Sequence, residues 1–452
     1  MRAFKHLFLL LFIAGVFALT AACGDNNTTN EKVEEKADQD GGTMTEKEEP
    51  KGPIELTFEP ATGAEIEPKD TCITIKMSIK PGKLVKAEFI ADGASTPTPA
   101  SFSYDTKTDK DKKTALVCPY SLLDQGVKYK LNVTVKSQKP DDKEYNGTAE
   151  YTTKAPYADK NAPAAGTTIN LKIDSILTPE LLGSLLEGQK DSIPPILVNV
   201  HKRDEGKKGN IIFIGGLGKG PEGGSPHEGK DVVDTETPVS ISLVGKFDGR
   251  WFSVGPTTFI LSIAGVSVVL DNFTLTGIFT EDSTNVEEAR LSAVIDPEFV
   301  KKQFEMDICS IVDCDENPDG TKSVLVAGKI VGVANPLEYS AFITKPLYLE
   351  NNIAADTKIE FYTTGDTKKE DVTVEVKSCK GSQKEEKPCS EADGATIADV
   401  AGDASVTIDD SKKKGEITLP TLEANTWYQV NLTAKDANGK EFKTFARFKT
   451  KE

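Results

Sequence analysis

One stretch of this 452-residue chain is written twice. Tyr129-Lys-Leu-Asn-Val-Thr-Val-Lys136 alternates apolar and polar residues, and it returns near the C-terminus as Tyr428-Gln-Val-Asn-Leu-Thr-Ala-Lys435. Successive side chains of a strand point to opposite faces, so such alternation buries one face and wets the other. The next strands match too: Lys143-Glu144-Tyr145 through Lys154 pairs with Lys440-Glu441-Phe442 through Lys451. Their connecting turn is two residues longer in the first copy, a change that a hairpin turn tolerates. Leu123 and Leu422 each lie six residues before the matched tyrosine, and Asp70-Thr71 parallels Asp356-Thr357. Alternation is equally plain from Cys72 to Met77. Lys80-Pro81-Gly82 and Lys139-Pro140-Asp141-Asp142 punctuate the strands. The expected fold class is all-β, with tandem β-sandwiches over 54–156 and 336–452.

These residues resemble bacterial immunoglobulin-like domains, especially those of surface-layer and cell-wall-associated proteins. The shared pattern is a Pro- and Gly-containing lead such as Glu59-Pro60-Ala61-Thr62-Gly63, then Asp-x-x-Ile into a strand, and Leu-x(5)-Tyr before two alternating strands. The resemblance implies that Tyr129 and Tyr428 act as tyrosine corners. It covers about half of the chain and implies a fold far more than a function. The second copy departs from it by inserting Cys379 to Cys389, which leaves its middle strands open.

The region 168–335 lies between the copies. Strand-like runs cover Asn210 to Ile214, Val239 to Phe247, Thr257 to Ile263, Val266 to Leu270 and Phe273 to Phe279. Thr178-Pro179-Glu180 and Asp296-Pro297-Glu298 each read as an N-cap, a first-turn proline and an acid, so each starts a short helix. The first places Leu181, Leu182, Leu185 and Leu186 on one face and stops at Gly188; the second turns Phe299, Val300 and Phe304 inward. The expectation is a larger β-sandwich-like domain decorated by helices.

The N-terminus carries compartment information. Arg2 and Lys5 precede an uncharged, almost wholly apolar run from Leu7 to Ala22, the layout of an export signal over 1–22. As a spanning helix this run is shorter than the roughly 20 residues that a bilayer requires. Leu19-Thr20-Ala21-Ala22-Cys23 resembles the lipobox of bacterial lipoproteins. That resemblance implies cleavage ahead of Cys23 and acylation of its sulfur, palmitate being one such chain. Two or three chains hold a protein firmly, at ~0.8 kcal/mol per buried methylene. Gly24 in place of an aspartate favours the outer membrane or cell surface. Residues 23–53 then form a tether: after Cys23 the stretch has no aromatic residue and few aliphatic ones, and a flexible reach of about 30 Å.

Loss of the leader with Arg2 and Lys5 takes the net charge from −17 to −19. Such a surface repels nucleic acid, which is excluded as a partner. The membrane, reached through the lipid anchor, and a protein or glycan remain as partners.

Six cysteines follow Cys23, an even number for an oxidising compartment. They allow 15 pairings. They also fall into three neighbouring couples, Cys72 with Cys118, Cys309 with Cys314, and Cys379 with Cys389. Loop entropy gives about 4 kcal/mol for the first and about 2 for the second. None has zinc spacing, because the mature chain retains only His201 and His227.

Asp315, Asn317 and Asp319, followed by Gly320, place oxygen donors at alternate positions, as in the first half of an EF-hand calcium loop. Thr321 adds a carbonyl and Ser323 a water-mediated contact. The twelfth position is Val326 where a bidentate Glu is required, so Asp307 or Asp313 has to complete a calcium site; the alternative is a turn around Pro318-Asp319-Gly320. The glycine-rich run Gly215 to Gly224 lacks the following helix that a phosphate loop needs and reads as a loop. Ser225, His227 and Asp231 lie close in sequence without a nucleophile elbow. Trp251-Phe252 and Trp427-Tyr428 read as core aromatics rather than sugar platforms. The Asn-x-Thr triplets at Asn132 and Asn431 are polar strand faces.

The reading is a cell-envelope lipoprotein with a binding, adhesion or scaffolding role and no enzyme activity. An exported hydrolase acting through the central domain, and a purely structural spacer, are the competing classes. Cys23→Ser is expected to abolish incorporation of labelled palmitate and release the protein from membranes; labelling that persists in the variant contradicts the assignment.

Overall fold

The structure is a computed structural model. It describes residues 52–452 except 106–108, 139–140, 180–192, 221–225, 228–229, 235–240, 264–265, 305–306, 313, 318, 334–336, 348, 382–388, 390–393, 401 and 403. Cys23 and the tether to residue 51 therefore lie outside the described residues, as does the helix expected after Thr178. Two compact units emerge: the described residues up to Pro119 with Gly126–Lys154, and Tyr120–Gln125 with Ala155–Glu452.

The first unit is a sandwich of β1 (Leu56–Glu59), β2 (Glu65–Ile66), β3 (Ile73–Met77), β4 (Lys83–Ala91), β5 (Thr98–Tyr104), β6 (Thr114–Pro119), β7 (Lys128–Lys136) and β8 (Glu144–Thr153). The strand order is β1-β3-β6-β5-β4-β7-β8-β2, and β5 pairs with both β4 and β6. Alternation in β3 and β7 buries Ile73, Ile75 and Met77, and Tyr129, Leu131, Val133 and Val135. Cys72 bonds Cys118 across β3 and β6, with Cα atoms 4.3 Å apart.

The second unit begins with a barrel. Its strands are β9 (Thr168–Thr178), β10 (Ile196–Arg203), β11 (Lys208–Lys219), β12 (Val232–Val233), β13 (Ile241–Asp248), β14 (Trp251–Ile263), β15 (Val266–Phe279), β16 (Val286–Ile295), β17 (Asp315–Glu316) and β18 (Lys322–Gly332). Apart from the short β12 and β17, each pairs antiparallel with the next, β18 returns to β9, and β10 closes onto β11. The expected open sandwich is thus a closed eight-stranded meander. Closure requires staggered, tilted strands: Ala327–Gly332 pair along β9 from Thr178 back to Leu171, while its N-terminal Thr168–Leu171 reach β10. The bore is filled at one level by aromatic rings. Phe247 stands opposite Phe252, and Phe252 opposite Gly277. Phe252 stacks on Phe279 at 4.6 Å and meets Phe213 at 5.4 Å between ring centroids. A Cβ on Gly277 would lie 2.4 Å from Phe252 Cζ, so the glycine makes room for the ring.

The expected runs Val266–Leu270 and Phe273–Phe279 are one strand, bent where Asn272 takes φ +50° and the register to β14 slips. The second expected helix is present as α1 (Pro297–Phe304). The Asp296 side chain accepts the Glu298 amide at 2.9 Å and Val300 is buried, as an N-capped helix with an inward face requires.

The chain ends in a second sandwich: β19 (Ala341–Lys345), β20 (Glu350–Ile353), β21 (Lys358–Thr363), β22 (Val372–Lys380), β23 (Thr396–Asp399), β24 (Ser405–Ile408), β25 (Lys414–Thr418), β26 (Trp427–Lys435) and β27 (Glu441–Thr450). Its sheets run β19-β21-β25-β24 and β20-β27-β26-β22-β23, repeating the first copy strand for strand, with β23 and β24 sharing the part of β5. Tyr129 faces Tyr151 across β7 and β8, and Tyr428 faces Phe448 across β26 and β27. In both copies a short strand, β2 or β20, runs parallel to the last one. The Tyr428 hydroxyl accepts the Glu423 amide at 2.7 Å, five residues upstream, which is a tyrosine corner. Cys379 bonds Cys389, and Cys309 bonds Cys314 in the barrel.

Gly277→Ala is expected to lower stability by about 1–3 kcal/mol through overpacking against Phe252. Gly277→Ala/Phe252→Leu should recover part of the loss. Denaturant unfolding checks this, and an unchanged midpoint for Gly277→Ala contradicts the packing described.

Candidate functional site

The residues singled out by motif resolve into local structure. Asp315 and Glu316 of β17 pair with Ser323 and Lys322 of β18, so the acidic stretch is a β-hairpin. Asn317 closes the turn through its amide to Thr321 O at 2.8 Å, and Gly320 sits at φ +81°. Asp319 Oδ1 accepts the Thr321 amide at 3.0 Å and its hydroxyl at 2.6 Å. Asn317 donates to Thr321 Oγ1 and accepts from Ser323 Oγ. These bonds from Thr321 hold the Asp319 carboxyl below its ordinary range. Asp315 and Glu316 are exposed, Asp313 lies outside the described residues, and no group of three or more His, Cys, Asp or Glu is arranged to hold a metal among the described residues.

Ser225 also lies outside the described residues. Asp231 is buried, accepting the His227 amide at 3.1 Å and the Asn170 Nδ2 at 2.7 Å, while His227 Nε2 contacts Ile193 O at 2.7 Å. The carboxylate fixes backbone and an amide side chain here rather than an imidazole. Gly215 to Gly218 belong to β11, not to a loop. Trp251, Phe252, Trp427 and Tyr428 are all at most 4% exposed, as core residues are.

The site that the motifs did not mark lies where the barrel meets the second sandwich. Along β10 and β11, Val200 pairs with Phe213 and Lys202 with Ile212, which leaves His201 as the extra residue of a β-bulge. A bulge re-aims side chains, and here both His201 and Lys202 line a cleft of about 520 Å³ on the outside of the barrel. Arg203, Asp204, Asn210 and Ile212 complete the barrel wall; Tyr362, Asp409, Ser411 and Lys414 form the sandwich wall. The His201 carbonyl accepts the Tyr362 hydroxyl at 3.1 Å, and the two rings meet edge to face at 5.8 Å. Burial pushes the Tyr362 hydroxyl up to about 12, so it remains a donor.

His201 is 7% exposed. Its Nε2 is 3.9 Å from Glu360 Oε2, and Lys414 and Lys345 approach the same carboxylate at 3.7 and 3.8 Å. These separations allow charge attraction but exceed hydrogen-bond length. Accordingly His201 Nδ1 and Glu360 Oε2 are buried without a hydrogen-bond partner among the described residues. Desolvation by burial pulls the His201 value down, and Glu360 only partly opposes it. The carboxylates of Asp204 and Asp409 face inward to their own turns: Asp204 Oδ2 holds the Asn210 amide and Nδ2, each at 2.8 Å, and Asp409 Oδ1 holds the Ser411 amide and hydroxyl.

No protein-family model matches the chain, and no curated protein does. Solved structures give loose likenesses. Domains 1–6 of the surface-layer protein SbsC share 10% identity at TM-score 0.16 over 88% of this chain and 54% of that one. The chain thus spans about half the length of that protein. The Bacteroides ovatus mixed-linkage glucan utilization protein SGBP-B, in complex with a heptasaccharide, shares 12% at TM-score 0.18 over 94% and 72%. A bacterial ice-binding adhesin shares 9% at TM-score 0.14 over 89% and 100%. Likenesses this loose carry no functional weight.

Because burial lowers His201, the unfolded chain binds more protons than the folded one as pH falls through about 6.5, and stability declines there. The unfolding midpoint is expected to fall more steeply between pH 7.5 and 5.5 in the native chain than in His201→Gln. Parallel curves contradict the buried, neutral imidazole.

Proposed function

We propose that this chain is an exported, lipid-anchored binding protein of the cell envelope, and that the cleft beside His201 is where it holds its ligand. The observation that carries this reading is that His201, which lines the cleft, keeps a buried Nδ1 without a hydrogen-bond partner among the described residues. An unsatisfied buried polar group costs about 1–3 kcal/mol. Such a cost is expected at a site that a ligand completes. The cleft volume falls within the range of small-molecule sites, about 300–1,000 Å³.

Binding is favoured over hydrolysis by the arrangement of the same groups. The Ser411 hydroxyl of the cleft donates to Asp409, not to His201, so it is not held as a nucleophile against the imidazole. The tether expected over residues 23–53 would supply the reach to display such a site away from the membrane.

Ala165 is exposed at the cleft rim, so Ala165→Trp fills the cleft without disturbing a packed position. The soluble chain starting at residue 24 is expected to bind at least one of three probes saturably: isolated cell-wall sacculi, an oligogalacturonate or a neutral β-glucan oligosaccharide. Ala165→Trp should abolish that binding. No saturable binding, or binding indifferent to Ala165→Trp, contradicts the reading and leaves a structural spacer.

A further inference from the structure

We infer that Asp231, Asn170 and His227 bind a divalent transition-metal ion where the loop ahead of β12 lies against β9. This site is separate from the cleft beside His201 and does not depend on it.

Asp231 is 0% exposed. Its carboxylate accepts two neutral N–H groups, the His227 amide at 3.1 Å and Asn170 Nδ2 at 2.7 Å, and no basic side chain pairs with it among the described residues. An ionised carboxylate offers about four acceptor positions, so these two bonds leave it half satisfied. Burying such a charge without a counter-charge is costly. The groups around it add acceptors rather than donors. Asn170, 3% exposed, uses its amide N–H on Asp231, and its Oδ1 is buried without a hydrogen-bond partner among the described residues. His227 Nε2 lies 2.7 Å from the Ile193 carbonyl, which can only accept, so that nitrogen carries the proton. In the neutral ring the buried Nδ1 then presents a lone pair. Carboxylate, amide oxygen and imidazole nitrogen are thus gathered on three residues joined through one carboxylate. A water molecule could donate to these acceptors, but it brings no charge for Asp231; a cation brings both.

The donor types select the cation. Oxygens alone suit calcium or magnesium, whereas an imidazole beside them favours zinc or manganese. The surroundings are those that metal ligands require. The imidazole is oriented through its other nitrogen by a backbone carbonyl, and the carboxylate is oriented by N–H donors. Two left-handed residues, His227 at φ +66° and Lys230 at φ +60°, turn the loop so that Asp231 returns to the His227 amide. His227 is only half-buried, which leaves the ion a way in. With one imidazole, one carboxylate and one amide, the set is also distinct from the groups of three or more His, Cys, Asp or Glu that the described residues lack.

Metal retention by the chelator-stripped mature chain tests this, in millimolar magnesium so that weakly binding surface carboxylates are already occupied. Dialysis against micromolar zinc or manganese should leave a single such ion per chain, and that ion should raise the unfolding midpoint by several degrees. Asp231→Asn should abolish retention, and His227→Gln should weaken it by at least about tenfold while the chain still unfolds cooperatively. Cobalt should give visible absorption bands that His227→Gln alters, because the imidazole is a ligand. Asn170→Asp sets a second carboxylate against Asp231, so it should lower the midpoint of the stripped chain yet tighten binding, and added zinc should restore the midpoint. A purely structural polar cluster predicts the same loss without restoration, and that result overturns the assignment. It also falls if neither ion is retained, in which case water serves these acceptors, or if both Asp231→Asn and His227→Gln retain as much as the native chain, which places the ion on the acidic surface.

Discussion

The meeting of the barrel with the second sandwich depends on one apolar joint. Leu197, Ile214 and Val233 on the outside of the barrel meet Phe342 of the second sandwich in a buried cluster, with Leu337, Leu347 and Phe442 packed around it. Phe342 is 0% exposed. Burying such a side chain contributes about 1.5–3 kcal/mol. The same joint brings Tyr362 onto the bulged carbonyl of His201 and sets Glu360 beside its ring. The polar pair is unfavourable by itself, at about 1–3 kcal/mol for each unsatisfied group. It persists because the apolar contact next to it offsets that cost.

The barrel and the sandwiches solve the problem of exposed strand edges differently. The barrel closes on itself through the pairing of β10 with both β9 and β11 and so has no long edge. The sandwiches keep edges but cover the last strand with a short parallel one, β2 or β20. Closure has a packing consequence: an eight-stranded bore is just wide enough for side chains to fill. Here Phe213, Phe247, Phe252 and Phe279 fill it, and Gly277 yields the space that Phe252 occupies. Rigidity at that level gives the bulge at His201 a fixed base.

How much of this was legible in the sequence differs by element. The duplicated tyrosine strands announced both sandwiches, because alternation and register survive duplication; Tyr428 reaching Glu423 N is the corner that the resemblance implied. The cysteine couples pair as their neighbourhood suggested. Asp296-Pro297-Glu298 started a helix because capping is local chemistry. Barrel closure was not legible: a closed meander and an open sandwich present the same alternation, and only the return of β18 to β9 separates them. Gly215 to Gly218 read as loop because glycine weakens a strand signal, yet Gly215 and Gly218 crowd against the β10 chain at Leu197 and against Pro195, where a side chain has little room. The cleft was hidden for a different reason. His201 is unremarked in sequence, and its surroundings come from Glu360, Tyr362 and Lys414, which are distant along the chain. The run His201-Lys202-Arg203 carries no spacing that would mark it in sequence.

On this account the barrel and the second sandwich unfold as one cooperative body joined through Phe342. Hydrogen exchange on the intact chain carrying Phe342→Ala tests it most directly. Loss of protection should appear together in β10 and β11 of the barrel and in β19 and β21 of the sandwich. Loss confined to β19 and β21, with the barrel strands protected as before, would contradict it.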